Sequence, residues 1–232
     1  MTAISIESDD QFKLLLESLA SELVDANIHW RLLKDLQEQI VPFSDEFNQT
    51  ATFWTLTLQA QLDATIFRLV RIYDGNTQSL SLRNFLDTII ENLQIFEVDR
   101  YRERLKDNPF VESLAENAEQ PDPSQLASDL AFVSSENSMV RRLTVWRNNL
   151  FAHRSAQNAV RNYNIAGDYP LTDDDIDNLL TEGMAILNRY SLMFVANTYS
   201  TQIVGHNDFT FLLECVRKDL VARRAAFNND SG

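Results

Sequence analysis

The stretch VRRLTVWRNNLFAHRSA, residues Val140 to Ala156, contains neither glycine nor proline, and its apolar residues recur at helical spacing. At about 100° per residue, Leu143, Trp146, Leu150 and Phe151 join Val140 in one stripe about 140° wide. A half-buried strand would alternate instead, and a turn would break the run. The composition extends this local reading to the whole chain. Glycine and proline number only five each in 232 residues, and 44% of the residues are hydrophobic. That is too little turn chemistry for a sandwich or barrel and enough apolar material for a buried core. The fold class predicted is all-α, a single helical bundle of about six to eight helices.

Working outward from the stretch, the helix that holds it is expected to begin at about Leu126 or Ser134. Toward the N-terminus, Asp9 or Asp10 can cap a helix through FKLLLESLASELVDA, and a second piece, NIHWRLLKDLQEQIV, ends before Pro42. Ser44 is placed as the cap of a long helix through FNQTATFWTLTLQAQLDATIFRLVRIY, stopped by the turn chemistry of Asp74-Gly75-Asn76. Ser81 caps a shorter helix, LRNFLDTIIENLQIF. The polar, proline-containing run around 108–128 reads as a loop insertion into the bundle. Toward the C-terminus, Thr172 followed by Asp173, Asp174 and Asp175 marks a strong helix start, because an acidic first turn complements the helix dipole. A last helix covers DFTFLLECVRKDLVARRAAF. The organisation expected is one domain over residues 1–227 with a polar tail at 228–232.

Charge and cysteine content narrow the function. No apolar run is long enough to cross a bilayer, and the N-terminal MTAISIESDDQF lacks a basic start followed by a hydrophobic core, so a cytoplasmic location and no membrane partner are expected. The single Cys215 makes no internal disulfide and, with three scattered histidines, no zinc pattern; it is read as a small helix-packing residue. No metal and no cofactor are predicted. A formal charge of −14 opposes general nucleic-acid binding, which draws its affinity from Lys and Arg on phosphates. The stretch that opened the reading is the local exception. From Asn137 to Gly167 there are five arginines and one histidine but no Asp or Glu.

Arg147 and Arg154 fall inside the apolar stripe, where an unpaired guanidinium is costly. Two readings follow. Each arginine can pair with a carboxylate from another helix, Asp63 being a candidate because it shares a side with Phe67 and Val70. Alternatively, the arginines line a phosphate-binding or RNA-cleaving cleft. Metal-independent RNA cleavage needs one group to take the 2′-OH proton, one to protonate the leaving 5′-oxygen, and positive charge over the phosphorane. His153 with arginine neighbours can supply these. In an unbroken α-helix Arg147 and His153 lie about 120° apart around the axis and about 9 Å along it, so a symmetric dimer that faces two copies of the helix is attractive.

The run Arg147-Asn148-Asn149-Leu150-Phe151-Ala152-His153 resembles the signature of HEPN domains, an Arg followed by a polar residue, a short spacer and a His. WRNNLFAHR and the earlier LDATIFRLVRIYDG are similar to the AbiU-type branch, associated with abortive infection and toxin–antitoxin systems. The resemblance implies a HEPN-like helical core that forms a homodimer, joining two signatures into one metal-independent endoribonuclease site. It implies His153 as the proton-transfer residue, Arg147 as the group that orients or stabilises phosphate, and Asn148 as the polar positioning residue. Arg142, Asn149 and Arg154 are assigned to RNA phosphate on charge and proximity alone. The partners implied are an RNA substrate, tRNA or mRNA, and an antitoxin or nucleotidyltransferase. Some HEPN toxins carry a Tyr two residues after the His as the acceptor of a transferred nucleotide; Ser155 stands there, and Tyr163 is a weaker substitute. A non-catalytic module holding nucleotide, RNA or protein in the same cleft is the competing reading.

Other charged groups receive structural readings. The acids from Asp173 to Asp177 are read as helix-start charge rather than a cation site. Arg100, Arg102 and Arg104 are read as a solvated face. Arg223 and Arg224 suit the end of the last helix. His29 and His206 show no partner in the sequence and receive no role.

Overall fold

A computed structural model describes residues 3–148, 165–202 and 204–230. Among the described residues there are helices and turns and no strand, as the glycine-poor composition predicts. No helix among them is long and apolar enough to cross a membrane. By contacts the chain divides into two compact units, 1–24 with 66–200, and 25–65 with 201–232.

The first unit contains the start of α1 (Asp9–Gln39), the end of α3 (Ala51–Ile72), α4 (Leu82–Glu91), a 3-10 turn (Leu93–Phe96), and α5 (Val98–Arg104). It continues with α6 (Val111–Glu116), α7 (Pro123–Phe132), α8 (Ser138–Trp146), α9 (Ile165–Asp168) and α10 (Asp173–Val195). On α1, Phe12, Leu16, Leu19 and Leu23 lie on one face and are fully buried. Phe12 stacks on Phe85 of α4 at 5.3 Å between centroids and meets Phe194 of α10 edge-on at 4.7 Å. Buried aromatic area of this kind dominates core energetics. Helix α10 approaches its neighbours closely at Gly183, where an added Cβ would stand 3.0 Å from Leu23 Cδ2 and from Tyr73 Oη. Tyr73 donates its hydroxyl to Leu179 O at 2.6 Å, and burial pushes its phenol far above the ordinary range, so it remains a donor.

Local capping agrees with the sequence at two starts. Ser81 accepts from Asn84 N at the head of α4, and Thr172 forms a reciprocal capping box with Asp175 at the head of α10. The reading differs from the structure in the 108–128 run, which contains α6 and the start of α7. Asp122 caps α7 and Pro123 occupies its first turn, where the missing N–H costs nothing. Arg104, read as part of a solvated face, is only 11% exposed: it pairs with Asp9, donates to Phe194 O, and lies 4.0 Å over the Phe194 ring.

The second unit holds the end of α1, α2 (Ser44–Gln49), the start of α3, and α11 (Phe209–Asp230). The pieces expected as two helices up to Pro42 form the single α1, because the buried stripe continues through Leu23, Ala26, Trp30 and Leu33 without a break. Conversely, the long helix expected from Ser44 is interrupted at Thr50, and Phe43, not Ser44, occupies its cap position. Leu36, Phe43, Phe47 and Leu213 make the small core, with Trp54 and Phe209 packed on it. Arg217 of α11 covers the Phe43 ring at 3.9 Å and donates Nε to the buried Glu46 at 2.6 Å. Helix α11 runs through most of the residues read as a tail. Cys215 is exposed on it, correcting the packing role read for it.

Candidate functional site

Helix α8 is capped by Asn137, whose Oδ1 accepts from Met139 N at 2.9 Å, and buries Val140 and Leu143. Three side chains on this helix or just beyond it are tied to other parts of the first unit. Arg142 donates Nη2 to Asp175 at the head of α10. Trp146 donates Nε1 to Tyr169 O at 2.7 Å. Arg147 forms an ion pair through Nη1 with Asp74, which follows the C-terminal end of α3. At Arg147 and Asn148 the helix widens from α to π-type. A π-type turn is uncommon and is found disproportionately at functional sites.

Arg147 is therefore paired with a carboxylate, as one of the two readings of the stripe required. The carboxylate is Asp74 and not Asp63, which is exposed and accepts from Gln59 Nε2 at 2.8 Å one turn away on its own helix. The pair is intermediate in burial, with 31% of the Arg147 side chain and 18% of the Asp74 side chain exposed. Arg147 Nε also donates to Asn148 Oδ1 at 3.1 Å. A guanidinium has five N–H donors in a fixed fork. With Nη1 on Asp74 and Nε on Asn148, the plane of the group is defined and part of its surface still reaches solvent.

Asp74 is itself held. Its Oδ1 accepts from Asn76 N at 3.0 Å, so the turn after α3 closes on the same oxygen that meets Arg147. The turn is anchored from α4 by Asn84, a fully buried residue whose Nδ2 donates to Asn76 O at 2.8 Å and to Ser79 O at 2.7 Å. Buried polar groups bonded in this manner rigidify the loop they serve.

Of the residues singled out from the sequence, the structure places Arg142, Arg147 and Asn148 on or directly after α8. Asn149, His153 and Arg154 lie outside the described residues, as do Ser155 and Tyr163. The separation expected between Arg147 and His153 in an unbroken α-helix ends on a residue outside the described ones. The sequence reading missed Asp74 as a partner and treated it only as part of a stop signal. It read Asp175 only as a cap, whereas Asp175 also takes the charge of Arg142. Among the described residues no cluster of His, Cys, Asp or Glu is arranged to hold a metal ion. His206, given no role, lies against the buried Asp35, which also receives Arg31 Nε at 3.0 Å.

The family described as HEPN_AbiU2 (AbiU2) matches residues 9–221, a span that contains α8, Asp74 and the whole Arg147-to-His153 motif. No curated protein matches the chain, and no solved structure does.

Proposed function

The chain belongs to the AbiU2 family of HEPN domains, the abortive-infection class, and from that premise we propose that it is a metal-independent endoribonuclease acting as a toxin or antiviral-defence effector. Two copies bring their Arg147–His153 segments into one cleft. In that cleft a histidine takes the 2′-OH proton, the 2′-oxygen attacks phosphorus, and the P–O5′ bond breaks as the 5′-oxygen receives a proton. The products are a 2′,3′-cyclic phosphate and a 5′-hydroxyl. His153 transfers protons, Arg147 stabilises charge on the phosphorane, and Asn148 sets the Arg147 plane through its Oδ1. The observation that carries this reading is Arg147 itself. The first residue of the motif stands at a widened helical turn, fixed by Asp74 and Asn148, with about a third of its side chain open to solvent. Preorganised cationic donors are the largest single source of transition-state stabilisation in reactions of this type.

The test is incubation of wild type, His153→Ala and Arg147→Ala with tRNA and mRNA in EDTA, followed by mapping of the new ends. Wild type is expected to leave cyclic-phosphate ends and His153→Ala to leave none while keeping its fold. Equal cleavage by His153→Ala would remove the reading. One observation favours the second reading, a non-catalytic module that binds RNA or nucleotide: Asp74 already neutralises Arg147 in the chain as described. That reading predicts binding that is lost in Arg147→Ala, with no scission in any buffer.

A further inference from the structure

The end of α3, the turn that follows it and the buried face of α4 converge on the motif arginine. Asp74 Oδ1 accepts from Arg147 Nη1 and from Asn76 N; Asn76 O and Ser79 O accept from Asn84 Nδ2; and Asn84 has no exposed surface. The chain of contacts thus runs from a rigid buried residue to a half-open guanidinium. An ion pair whose only role is to satisfy a stray charge does not need its carboxylate clamped by a second layer of bonds. A guanidinium that must meet a phosphate in one orientation does need such a clamp, because misplacement by about 1 Å costs about 100-fold in rate.

We propose that Asp74 and Asn84 are positioning residues for the phosphate-binding Arg147, Asp74 by direct contact and Asn84 by holding the 76–79 turn that presents Asp74. The inference rests on the reading of Arg147 as the group that meets RNA phosphate. Asp74 touches no reacting atom. It sets the direction of the Arg147 fork before RNA arrives, so the entropy of ordering a long side chain is not spent at the transition state. The same carboxylate sets a limit on the site: it must remain on one edge of the guanidinium while phosphate takes another.

Two measurements test this, one independent of catalysis. In NMR spectra of the arginine side chains, the Arg147 Nε–Hε and Nη–Hη signals are expected to show slowed exchange and restricted rotation in wild type. Both are expected to be lost in Asp74→Asn and weakened in Asn84→Ser, with the folded spectrum elsewhere retained. Unaltered Arg147 signals in Asp74→Asn would overturn the proposal. The second measurement is kinetics on an RNA oligonucleotide, and affinity for its 2′-O-methyl form, which has no 2′-OH to attack. Asp74→Asn is expected to lower kcat about 10- to 100-fold with KM within about threefold. The double variant Asp74→Asn/Arg147→Ala should cleave no worse than Arg147→Ala alone, since the first change acts through the second residue. Asp74→Glu should recover part of the loss if a carboxylate is what matters. Faster cleavage by Asp74→Asn, or losses that multiply in the double variant, would overturn the positioning role and make Asp74 a brake or a bystander. Where wild type itself does not cleave, the ribonuclease reading fails separately. The positioning role is then decided by the NMR signals; affinity for the 2′-O-methyl RNA should stay within about threefold in Asp74→Asn, and a larger loss would make Asp74 part of the binding surface instead.

Discussion

At the scale of single residues, arginines in this protein are distinguished by what holds them. Arg147 and Arg142, in the acid-free part of the sequence, each take a carboxylate from a distant element, Asp74 and Asp175. Arg104, set among other charges in YRERLKD, is the most buried of the paired arginines described in these ion pairs, with burial lowering its pKa and Asp9 opposing that shift. Its guanidinium lies on Phe194, so its apolar stem and its charge both contribute to the core edge. Replacement by Ala removes a hydrogen bond to Phe194 O, one of two arginine partners of Asp9 and the stacked contact. Arg104→Ala is expected to destabilise the first unit by about 1–3 kcal/mol in urea unfolding. A change below about 0.5 kcal/mol would return Arg104 to the solvated face that its sequence context suggests.

At the scale of elements, the ends of helices carry more of the specification than their middles. The capping box of α10 and the Ser81 cap of α4 are local patterns, and a reader of the sequence finds them because the donor and acceptor lie within one turn. The joining of α2 and α11 is different. It depends on Arg217 meeting Glu46 and Pro42 O, and the two helices are far apart in sequence. The Arg217 guanidinium beside Glu46 holds that carboxyl below the usual carboxylate range. A carboxylate whose pKa falls on folding contributes stability that is complete above its unfolded value and is lost as pH falls through its folded value. The contact of α11 with α2 is therefore expected to weaken below about pH 4.3, the ordinary glutamate value. The Trp54 indole signal should report the change, since Trp54 packs on Phe47 at 4.8 Å between centroids. Glu46→Gln should lose the part of the acid response that belongs to this pair. An acid transition identical in Glu46→Gln and wild type would show that other carboxylates control it.

At the scale of the whole molecule, the formal charge of −14 bears on the proposed RNA substrate. On the ribonuclease reading, the acidic balance of the chain is expected to repel phosphate and to confine productive contact to the part of the sequence from Asn137 to Gly167 that has no Asp or Glu. Productive binding then uses few phosphate contacts. Three of them, the number of arginines assigned to phosphate at 142, 147 and 154, give a slope of log affinity against log salt of about −2 for single-stranded RNA. Arg147→Ala should reduce that slope by about 0.7. Affinity that does not depend on salt would remove the confinement argument, and a slope several times steeper would point to a second basic surface.

The sequence by itself determined the helical class, the principal helix starts at Ser81 and Thr172, and the candidate motif from Arg147 to His153. These are readable because helix periodicity, capping and a short motif are properties of neighbouring residues, separated by a few positions along the chain. Only the tertiary structure decided that α1 is one helix, that the 108–128 run is partly helical, and that Arg104 is largely withdrawn from solvent. The choice of Asp74 over Asp63 belongs to the same class. Both acids flank or lie within one helix and both are plausible by charge, and nothing in the local sequence tells which reaches Arg147, 73 positions from Asp74. That partner is selected by where the end of α3, the turn clamped by Asn84 and the last turn of α8 come together. Such a meeting point is fixed by the packing of elements distant in sequence, and electrostatic pairing then follows the geometry that packing has set.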